Sequence, residues 1–335
     1  MASSEPNVIG IDIGGTKVAV GLVNPAGQIL RTSRKRMVAH GSTQEGLQAV
    51  LDAITDLKDA IHTAHGIGIS VPGWVDSRRG VLLSATNLPC WRDYPLAYEL
   101  KRRYKLPTQI ANDANVAALA EATWGAGDQY RYVFYVSVGT GVGTGIVQDG
   151  RLYYGRTGAA GEGGHTTIDY NGRKCPCGKR GCIEMYASGN AVASRARELL
   201  GKHGAPKSRM SEMVDDNIPS VTAQIVTRAA LAGDALANEV MEEAANYLAI
   251  WLGNIIDLLE PDVIVIGGGL GQAMATFFHS IRKRLAEWTI NPRWREIPLR
   301  TAMYGSESGL VGSAALCLSQ TRLRVTPRKA AASSE

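Results

Sequence analysis

The chain uses one pattern of strands and glycine turns twice. Residues 8–30 read VIGIDI, GGT, KVAVGLV, NPAG and QIL, and residues 131–154 contain YVFYVSV, GTG, VGTGIV, QDG and RLYY. The β-branched runs between Gly, Asn-Pro and Asp-Gly turns predict the same three-stranded meander in both places. Further strand and helix patterns follow each copy. This order predicts two α/β domains with a cleft between them, where ligands bind.

Apolar residues at spacings of three and four predict helices between the strands. The predicted helices cover residues 43–65, 98–104, 114–124, 221–231, 235–259 and the final SGLVGSAALCLS. The short apolar runs GIGISVPG, TQIAND and PDVIVIGGG predict buried strands.

Length and composition restrict the class of protein. The 335 residues are 45% hydrophobic and 20% charged, which suits two domains with large cores. No apolar run has the roughly 18 residues of a membrane span, and MASSEPN does not resemble a signal peptide, so we expect a cytoplasmic protein without membrane contacts. The net charge of +5 is concentrated near the C-terminus, at Arg322, Arg324, Arg328 and Lys329, so we expect no nucleic-acid partner.

Three of the five cysteines cluster within residues 161–189. His165, Cys175, Cys177 and Cys182 occur in GEGGHTTIDYNGRKCPCGKRGCIE. An odd cysteine count with one tight cluster predicts a metal site, and this ligand set suggests zinc. The site could be a nucleic-acid finger, a catalytic metal or a structural staple. A finger is disfavoured because the helix after Cys182, IEMYASGNAVASRARELL, has its basic residues only late.

Glycine turns end several predicted strands. In DIGGTK, residues Gly14 and Gly15 would let backbone N–H groups approach a phosphate, and Asp12 could hold magnesium. The turn at 139–143 is followed by a hairpin pattern rather than a helix, which excludes a dinucleotide fingerprint. A third cluster, at 267–269, could lie under a nucleotide base. Ordinary turns remain an alternative for each cluster, but together they favour an ATP-dependent phosphotransferase.

These motifs, taken together, resemble the ROK family of repressors, open reading frames and kinases. The resemblance rests on DIGGTK, SVPGWVD, NLPCWRDYPL, ANDANVAALAE, SVGTGVGTGIV, GEGGH, CPCGKRGCIE, ASG and VIGGG, over roughly residues 8 to 318, and is strongest to bacterial ROK glucokinases. It implies the actin-like (ribonuclease H-like) ATPase fold, with a small domain over 1–118, joined by a helix at about 308–320, and a large domain over 119–307 that holds the zinc loop 161–189. Residues 321–335 would be a disordered tail.

The resemblance also assigns roles to residues. Asp113 would be the general base for the sugar 6-hydroxyl, although a helix cap is the common role of such an aspartate. His165 would both ligate a structural zinc, with Cys175, Cys177 and Cys182, and contact the sugar. The other implied sugar ligands are Gly73, Asn112, Glu162 and Glu184, and the implied ATP ligands are Asp12 (through magnesium), Gly14, Gly15, Thr16, Lys17, Thr140, Gly141, Gly268 and Gly269.

The resemblance leaves the substrate and the assembly open. Glucose is the leading candidate substrate, but relatives phosphorylate mannose, fructose, allose, N-acetylglucosamine or N-acetylmannosamine. A sugar-responsive repressor is disfavoured because the first strand begins by about residue 8, before any helix-turn-helix. The sequence departs from the family at Gly163 and Trp74, where an aliphatic residue and a proline are frequent, so Gly163 is expected to loosen its loop. A homodimer or homotetramer is expected.

Overall fold

The computed structural model describes residues 6–203 and 206–322, which fall into two units. Unit 1 comprises the described parts of Met1–Ala120, Arg156–Ala159 and Glu307–Glu335, and unit 2 comprises Glu121–Gly155 with the described parts of Ala160–Ser306. Of the predicted tail, residues 321 and 322 end the last helix, and the remainder lies outside the described residues.

Unit 1 has a five-stranded sheet of order β3-β2-β1-β4-β8 and a small sheet of order β5-β6-β7. The first meander forms the antiparallel strands β1 to β3, and β1, β4 and β8 run parallel. The strands are β1 Val8–Ile13, β2 Lys17–Val23, β3 Ile29–Arg36, β4 Ile67–Val71, β5 Trp74–Asp76, β6 Val81–Ser84, β7 Arg92–Tyr94 and β8 Thr108–Asn112; the helices are α1 Thr43–Thr55, α2 Lys58–Ile61, α3 Leu96–Tyr104, α4 Asp113–Trp124, which continues into unit 2, and α12 Ser308–Arg322.

Unit 2 repeats the arrangement with the second meander. Its sheet has the order β11-β10-β9-β12-β13, in which β9 and β10 form the predicted hairpin and β9, β12 and β13 are parallel. The strands are β9 Tyr132–Val138, β10 Val142–Gln148, β11 Arg151–Leu152, β12 Val263–Gly267 and β13 Leu299–Thr301; the helices are α5 Glu184–Ala187, α6 Gly189–Leu200, α7 Arg209–Glu212, α8 Ala223–Leu231, α9 Ala235–Leu259, α10 Gly269–Ala273 and α11 Phe278–Leu285. Its core packs the buried face of α9 against the sheet.

The helix predicted over 43–65 is two helices. Ser42 and Glu45 form a capping box at the start of α1, as the sequence pattern allows. The break lies after Asp56, which still has helical backbone angles, at Leu57, where φ is −111° and ψ is 22°. The Asp56 carboxylate accepts a hydrogen bond from Ser33 Oγ (2.7 Å) and pairs with Lys35 Nζ (2.7 Å). The apolar spacing continues through Leu57 and Ile61 and therefore does not reveal this break.

A row of glycines lets α12 lie directly on the sheet of unit 1. Gly21, Gly10 and Gly68 stand side by side on β2, β1 and β4. A Cβ atom at Gly10 would overlap the carbonyl oxygen of Leu310, and one at Gly68 would overlap that of Ser313. Only residues without a side chain permit this approach of helix to sheet.

No helix among the described residues has both the length and the apolar character needed to cross a membrane.

The glycine row predicts a large effect of a single methyl group. We expect Gly68→Ala to lower the free energy of unfolding by about 1–3 kcal/mol, because the new Cβ must displace backbone atoms of α12. Urea unfolding followed by circular dichroism measures the change. Gly201→Ala, at the exposed end of α6, is the control and should stay within about 0.5 kcal/mol of the wild type. Equal stability of the two variants would contradict the close packing of α12.

Candidate active site

Three parallel strands of unit 1 end at one edge of the sheet, and the predicted residues of this unit follow those ends. Asp12 lies near the end of β1, Gly73 follows β4, and Asn112 ends β8. The register pairs Asp12 with Ser70 and the last residue of β4 with Asn112, so these positions lie at neighbouring levels of the sheet. Asp113, the next residue, begins α4. Carboxyl ends of parallel strands are where α/β sheets bind ligands.

Hydrogen bonds fix the Asn112–Asp113 junction. Asn112 Nδ2 donates to the carbonyl oxygen of Gly73 (3.0 Å). The backbone N–H of Ala114 donates to both Asn112 Oδ1 (2.9 Å) and Asp113 Oδ1 (2.8 Å). Gly73 has a φ of +87°, and a Cβ there would overlap the Ser84 carbonyl oxygen, so this position requires glycine. Asp113 thus bonds to the first turn of α4, as a cap would, and its carboxylate is oriented by that bond.

Asp12 is a desolvated carboxylate. Ser70 Oγ donates to Asp12 Oδ1 (2.9 Å). A Cβ at Gly309, at the start of α12, would overlap this carboxylate. Burial raises the pKa of Asp12, although the Ser70 hydrogen bond and the nearby Lys17 ammonium act in the opposite direction. A desolvated carboxylate is suited to a cation.

Two backbone groups of the turn after Asp12 form hydrogen bonds within unit 1. The N–H of Gly14 donates to the Lys17 carbonyl oxygen (2.9 Å), which closes the hairpin. The Thr16 carbonyl oxygen accepts the Met37 N–H (3.0 Å). A Cβ at Gly15 would lie 2.7 Å from the Asn87 carbonyl oxygen, so a side chain cannot be added there without movement. The backbone N–H of Gly14 is therefore used in a hydrogen bond within the turn itself.

The glycine turn of unit 2 is held by the segment that follows the cysteine cluster. The N–H of Gly189 donates to the Gly139 carbonyl oxygen (2.7 Å), and Glu184 Oε2 accepts the Val142 N–H (2.8 Å). Gly141 packs against the Glu184 carboxylate. Glu184 therefore supports this turn, in addition to any role in binding.

A cavity of about 680 Å³ lies beside this turn, within unit 2. Gly139 and Thr140 line it from the β9–β10 turn, and Gly269 from the end of β12. Gly268 instead packs against the backbone of Val138 with a φ of +82°. The volume lies within the range of small-molecule sites, so the cavity can take a nucleotide-sized ligand.

Sequence reasoning missed most of the wall of this cavity. Asn190 and Arg197 of α6, and Gln224 and Arg228 of α8, line it without belonging to a glycine turn. Arg197 is held by its Nη1, which donates to the Val221 carbonyl oxygen (3.3 Å). The sequence signals were the N-terminal caps of α6 and α8, Ser188 and Thr222, but a cap does not show which cavity its helix lines.

The four predicted metal ligands meet in unit 2. His165 Nδ1 lies 3.6 Å from Cys175 Sγ, Cys177 Sγ lies 3.7 Å from Cys182 Sγ, and all four ligand atoms lie within 4.8 Å of one another. A tetrahedral zinc ion, with Zn–S of about 2.3 Å and Zn–N of about 2.0 Å, would separate two sulfurs by about 3.8 Å and a sulfur from a nitrogen by about 3.5 Å. This group could therefore hold a metal ion such as zinc. Nδ1 is the ring nitrogen that faces the cysteines.

The pKa values of Cys182 and Cys177 are shifted in opposite directions. Desolvation raises the pKa of Cys182 to about 12, while the backbone N–H of Lys179 lowers the pKa of the exposed Cys177. A buried thiol of this kind becomes a thiolate only with a cation beside it, so metal binding releases protons.

The cysteine loop is anchored to the body of unit 2. Trp251 Nε1, on α9, donates to Thr166 Oγ1 (2.7 Å), next to His165. Gly163 packs tightly, because a Cβ there would lie 2.8 Å from Thr144 Oγ1 and 3.1 Å from the Trp251 ring. The expectation that Gly163 loosens the loop is therefore wrong, since the space for a side chain is already filled.

His165 and Glu184, the other predicted sugar ligands of unit 2, lie close enough to Glu162 to shift its pKa. Burial raises its pKa; the His165 ring lowers it, and the Glu184 carboxylate raises it further. Glu162, His165 and Glu184 thus form one polar group at the cysteine loop.

The comparisons with known proteins agree with these elements. The profile described as "ROK family" matches residues 8–320. The glucokinase of Halalkalibacterium halodurans is 35% identical over 314 residues, which cover 91% of this chain and 92% of that protein. The glucokinase of Streptomyces coelicolor is 33% identical and covers 92% of this chain and 96% of its own length. The crystal structure of a ROK family glucokinase from Streptomyces griseus, in complex with glucose and AMPPNP, superposes with a TM-score of 0.78 at 32% identity, over 92% and 98% of the chains.

The chain belongs to the ROK family. The fold prediction is confirmed: it is the actin-like ATPase fold of the ROK sugar kinases, in which a meander with parallel strands occurs in each half.

The burial of Asp12 predicts a pH-dependent cost to stability. Because its pKa is higher in the folded chain than in the unfolded one, the folded state loses stability as the pH rises through the folded pKa. We expect Asp12→Asn to be more stable than the wild type at pH 7, and the difference to shrink as the pH falls toward the unfolded value of about 3.9. Urea unfolding at several pH values measures this, with the exposed Asp59→Asn as control. A lower stability of Asp12→Asn at pH 7 would contradict the burial account.

Proposed function

We propose that this protein is an ATP-dependent hexose kinase that transfers the γ-phosphoryl group of MgATP to the 6-hydroxyl of glucose. The observation that carries the proposal is the carboxyl edge of unit 1, where Asp12, Asn112 and Asp113 follow neighbouring parallel strands. The similarity to glucokinases over nearly the whole chain supports it.

Asp113 is the proposed general base. Its carboxylate accepts the proton of the sugar 6-hydroxyl as that oxygen attacks the γ-phosphorus, and ADP leaves. The Ala114 N–H holds the carboxylate at the start of α4. Asn112, fixed by Gly73, contacts an adjacent hydroxyl, and the rigid backbone of Gly73 positions the sugar.

Asp12 is the proposed holder of magnesium, directly or through water. It fits because it is a desolvated carboxylate with one hydrogen-bond partner, Ser70. The ion would neutralise charge on the β- and γ-phosphates. The proposed phosphate ligands of the first turn are Gly15, Thr16 and Lys17, since the Gly14 N–H closes that turn. The proposed phosphate ligands of unit 2 are Thr140, Gly141, Gly268 and Gly269, of which Thr140 and Gly269 lie in the wall of the 680 Å³ cavity.

The cysteine group is the proposed site of one structural zinc ion. Four ligands complete a tetrahedron and leave no position for a reacting water. Because Nδ1 of His165 faces the cysteines, Nε2 is the nitrogen left for a sugar hydroxyl. Glu162 and Glu184 would bind further hydroxyls.

The substrate is tested by ADP release from MgATP with glucose, mannose, fructose, allose, N-acetylglucosamine and N-acetylmannosamine. Highest kcat/KM on glucose supports the proposal. Highest kcat/KM on another sugar would keep the kinase and change its substrate. No turnover with any sugar, while sugar still binds, would favour a sensor. A cytoplasmic location and a homodimeric or homotetrameric state stay predictions; light scattering after gel filtration measures the latter.

Loss of the proposed base should affect turnover far more than folding. We expect Asp113→Asn to lower kcat by about 10²–10⁴, because the amide cannot accept the hydroxyl proton. Steady-state kinetics measures kcat, and circular dichroism monitors the fold. Asp149→Asn, an exposed aspartate of unit 2, is the control and should keep wild-type turnover. Near-normal kcat in Asp113→Asn would remove Asp113 from this role.

Loss of one thiolate should release the metal. We expect the wild type to hold about one zinc per chain, and Cys177→Ser to lose most of it and to bind glucose more weakly, because His165 is no longer held. Elemental analysis and titration calorimetry measure the two quantities. Cys317→Ala, outside the cluster, should keep both. Full zinc content with unchanged glucose affinity in Cys177→Ser would contradict the proposed structural role of the zinc ion.

A further inference from the structure

The short helix α5 lies next to both the proposed metal group and the proposed sugar ligands of unit 2. Its first residue, Glu184, is a proposed sugar ligand and accepts the Val142 N–H. Cys182, a proposed metal ligand, lies two residues before Glu184. The helix has only four residues, and Ile183 at its N-cap makes no side-chain cap hydrogen bond. So short a helix is not stable by itself, so the position of α5 depends on contacts of its side chains.

Tyr186, on α5, reaches back to the segment that precedes Cys175. Its hydroxyl accepts the backbone N–H of Arg173 (3.0 Å) and donates to Asp169 Oδ2 (3.3 Å). The side chain is buried. A Cβ at Gly172 would overlap the hydroxyl oxygen, so only a residue without a side chain leaves room for it. The chain before Cys175 is therefore shaped around this one hydroxyl group.

Arg173 makes the connection in the opposite direction. Its Nη1 donates to the Met185 carbonyl oxygen (2.7 Å), and its Cζ lies over the Tyr186 ring, 4.8 Å from the centroid. The Tyr186 ring also packs against Tyr247 of α9, with 4.5 Å between the centroids. A guanidinium on an aromatic face is attracted by the ring electrons. The two side chains form one connection between α5 and the chain before Cys175, the Tyr186–Arg173 link.

The proposed zinc ion does not fix this part of the loop by itself. The proposed ligands are His165, Cys175, Cys177 and Cys182, so residues 166–174 contain none of them. The Tyr186–Arg173 link attaches that segment to α5 just before Cys175. Residues that hold metal ligands in place without touching the metal are commonly needed for full metal affinity.

We propose that Tyr186 and Arg173 are positioning residues that hold the cysteine loop and Glu184 in one arrangement, so that both zinc affinity and sugar affinity depend on the Tyr186 hydroxyl. The proposal rests on the proposed function, which assigns the zinc ion and the sugar. Neither residue has a part in the phosphoryl transfer itself. Binding should therefore change when the link is broken, and the turnover of bound substrate should not.

Tyr186→Phe tests the hydroxyl. The variant loses one oxygen atom and leaves the Arg173 N–H without this acceptor. We expect zinc affinity of the full chain, measured by competition with a chromophoric chelator, to fall about tenfold. We expect the glucose dissociation constant, measured by titration calorimetry, to rise about fivefold. The kcat at saturating glucose should stay close to that of the wild type. Unchanged affinities in the folded variant, or a loss confined to kcat, would overturn the proposal.

Tyr247→Phe is the matched control. Tyr247 packs against the same ring, but its hydroxyl has no hydrogen-bond partner among the described residues. We expect this variant to keep the zinc and glucose affinities of the wild type. Equal losses in the two Tyr→Phe variants would assign the effect to ring packing and would contradict a role for the Tyr186 hydroxyl.

Arg173→Ala covers the case in which Tyr186→Phe does not fold. Arg173 is only half-buried, and the variant keeps its backbone N–H, so the change removes the guanidinium contacts with Met185 and Tyr186. We expect both affinities to fall, as in Tyr186→Phe. Wild-type affinities in a folded Arg173→Ala variant would contradict the Tyr186–Arg173 link.

The proposals fail separately because both affinities are equilibrium quantities that need no turnover. A wild-type chain without zinc would refute the proposed metal site, and the glucose affinities would then still decide the link. Absence of sugar phosphorylation, with zinc affinity lowered in Tyr186→Phe, would refute the kinase alone. Bound zinc and sugar turnover, with the same affinities in the wild type and in both link variants, would refute the link alone.

Discussion

The close contact of α12 with the sheet of unit 1 is the constraint on which the rest of that unit depends. Backbone carbonyls of the helix lie where the side chains of Gly10 and Gly68 would otherwise be. Because the helix lies so near, its first turn brings Gly309 against the carboxylate of Asp12. The same packing that completes the core therefore removes water from the residue proposed to hold magnesium. A methyl group in the glycine row would displace both the helix and the surroundings of Asp12.

Local patterns in the sequence predicted the elements, and long-range contacts decided their limits. Both meanders were predictable because turn residues and β-branched runs act within a few positions. The end of α1 was not, because the apolar spacing continues through Leu57, where the backbone leaves the helical conformation. The small sheet β5-β6-β7 was also missed, since its strands have only three or four residues and form through pairing with one another.

In the candidate site, too, residues in a local motif were predictable, whereas residues brought together by the fold were not. Cys175, Cys177 and Cys182 were identifiable as a metal group because short spacing reveals such ligands, and the structure places His165 with them. Arg197 and Arg228, in contrast, lie on separate helices and carry no motif, so only the fold shows that they share one cavity. The effect of Gly163 was misjudged for a related reason. What fills the space beside it comes from Trp251, far along the chain.

A desolvated charge marks a place where this structure is suited to a ligand. A protein that only had to be stable would compensate a desolvated carboxylate such as Asp12 more fully or replace it with an uncharged residue. Asp12 is instead held by one side-chain hydrogen bond, from Ser70, which leaves acceptor capacity on its carboxylate. Local rules are expected to fail at functional sites and to hold elsewhere. By that criterion the desolvation of Asp12 behind the first turn of α12 supports the proposal that it holds magnesium.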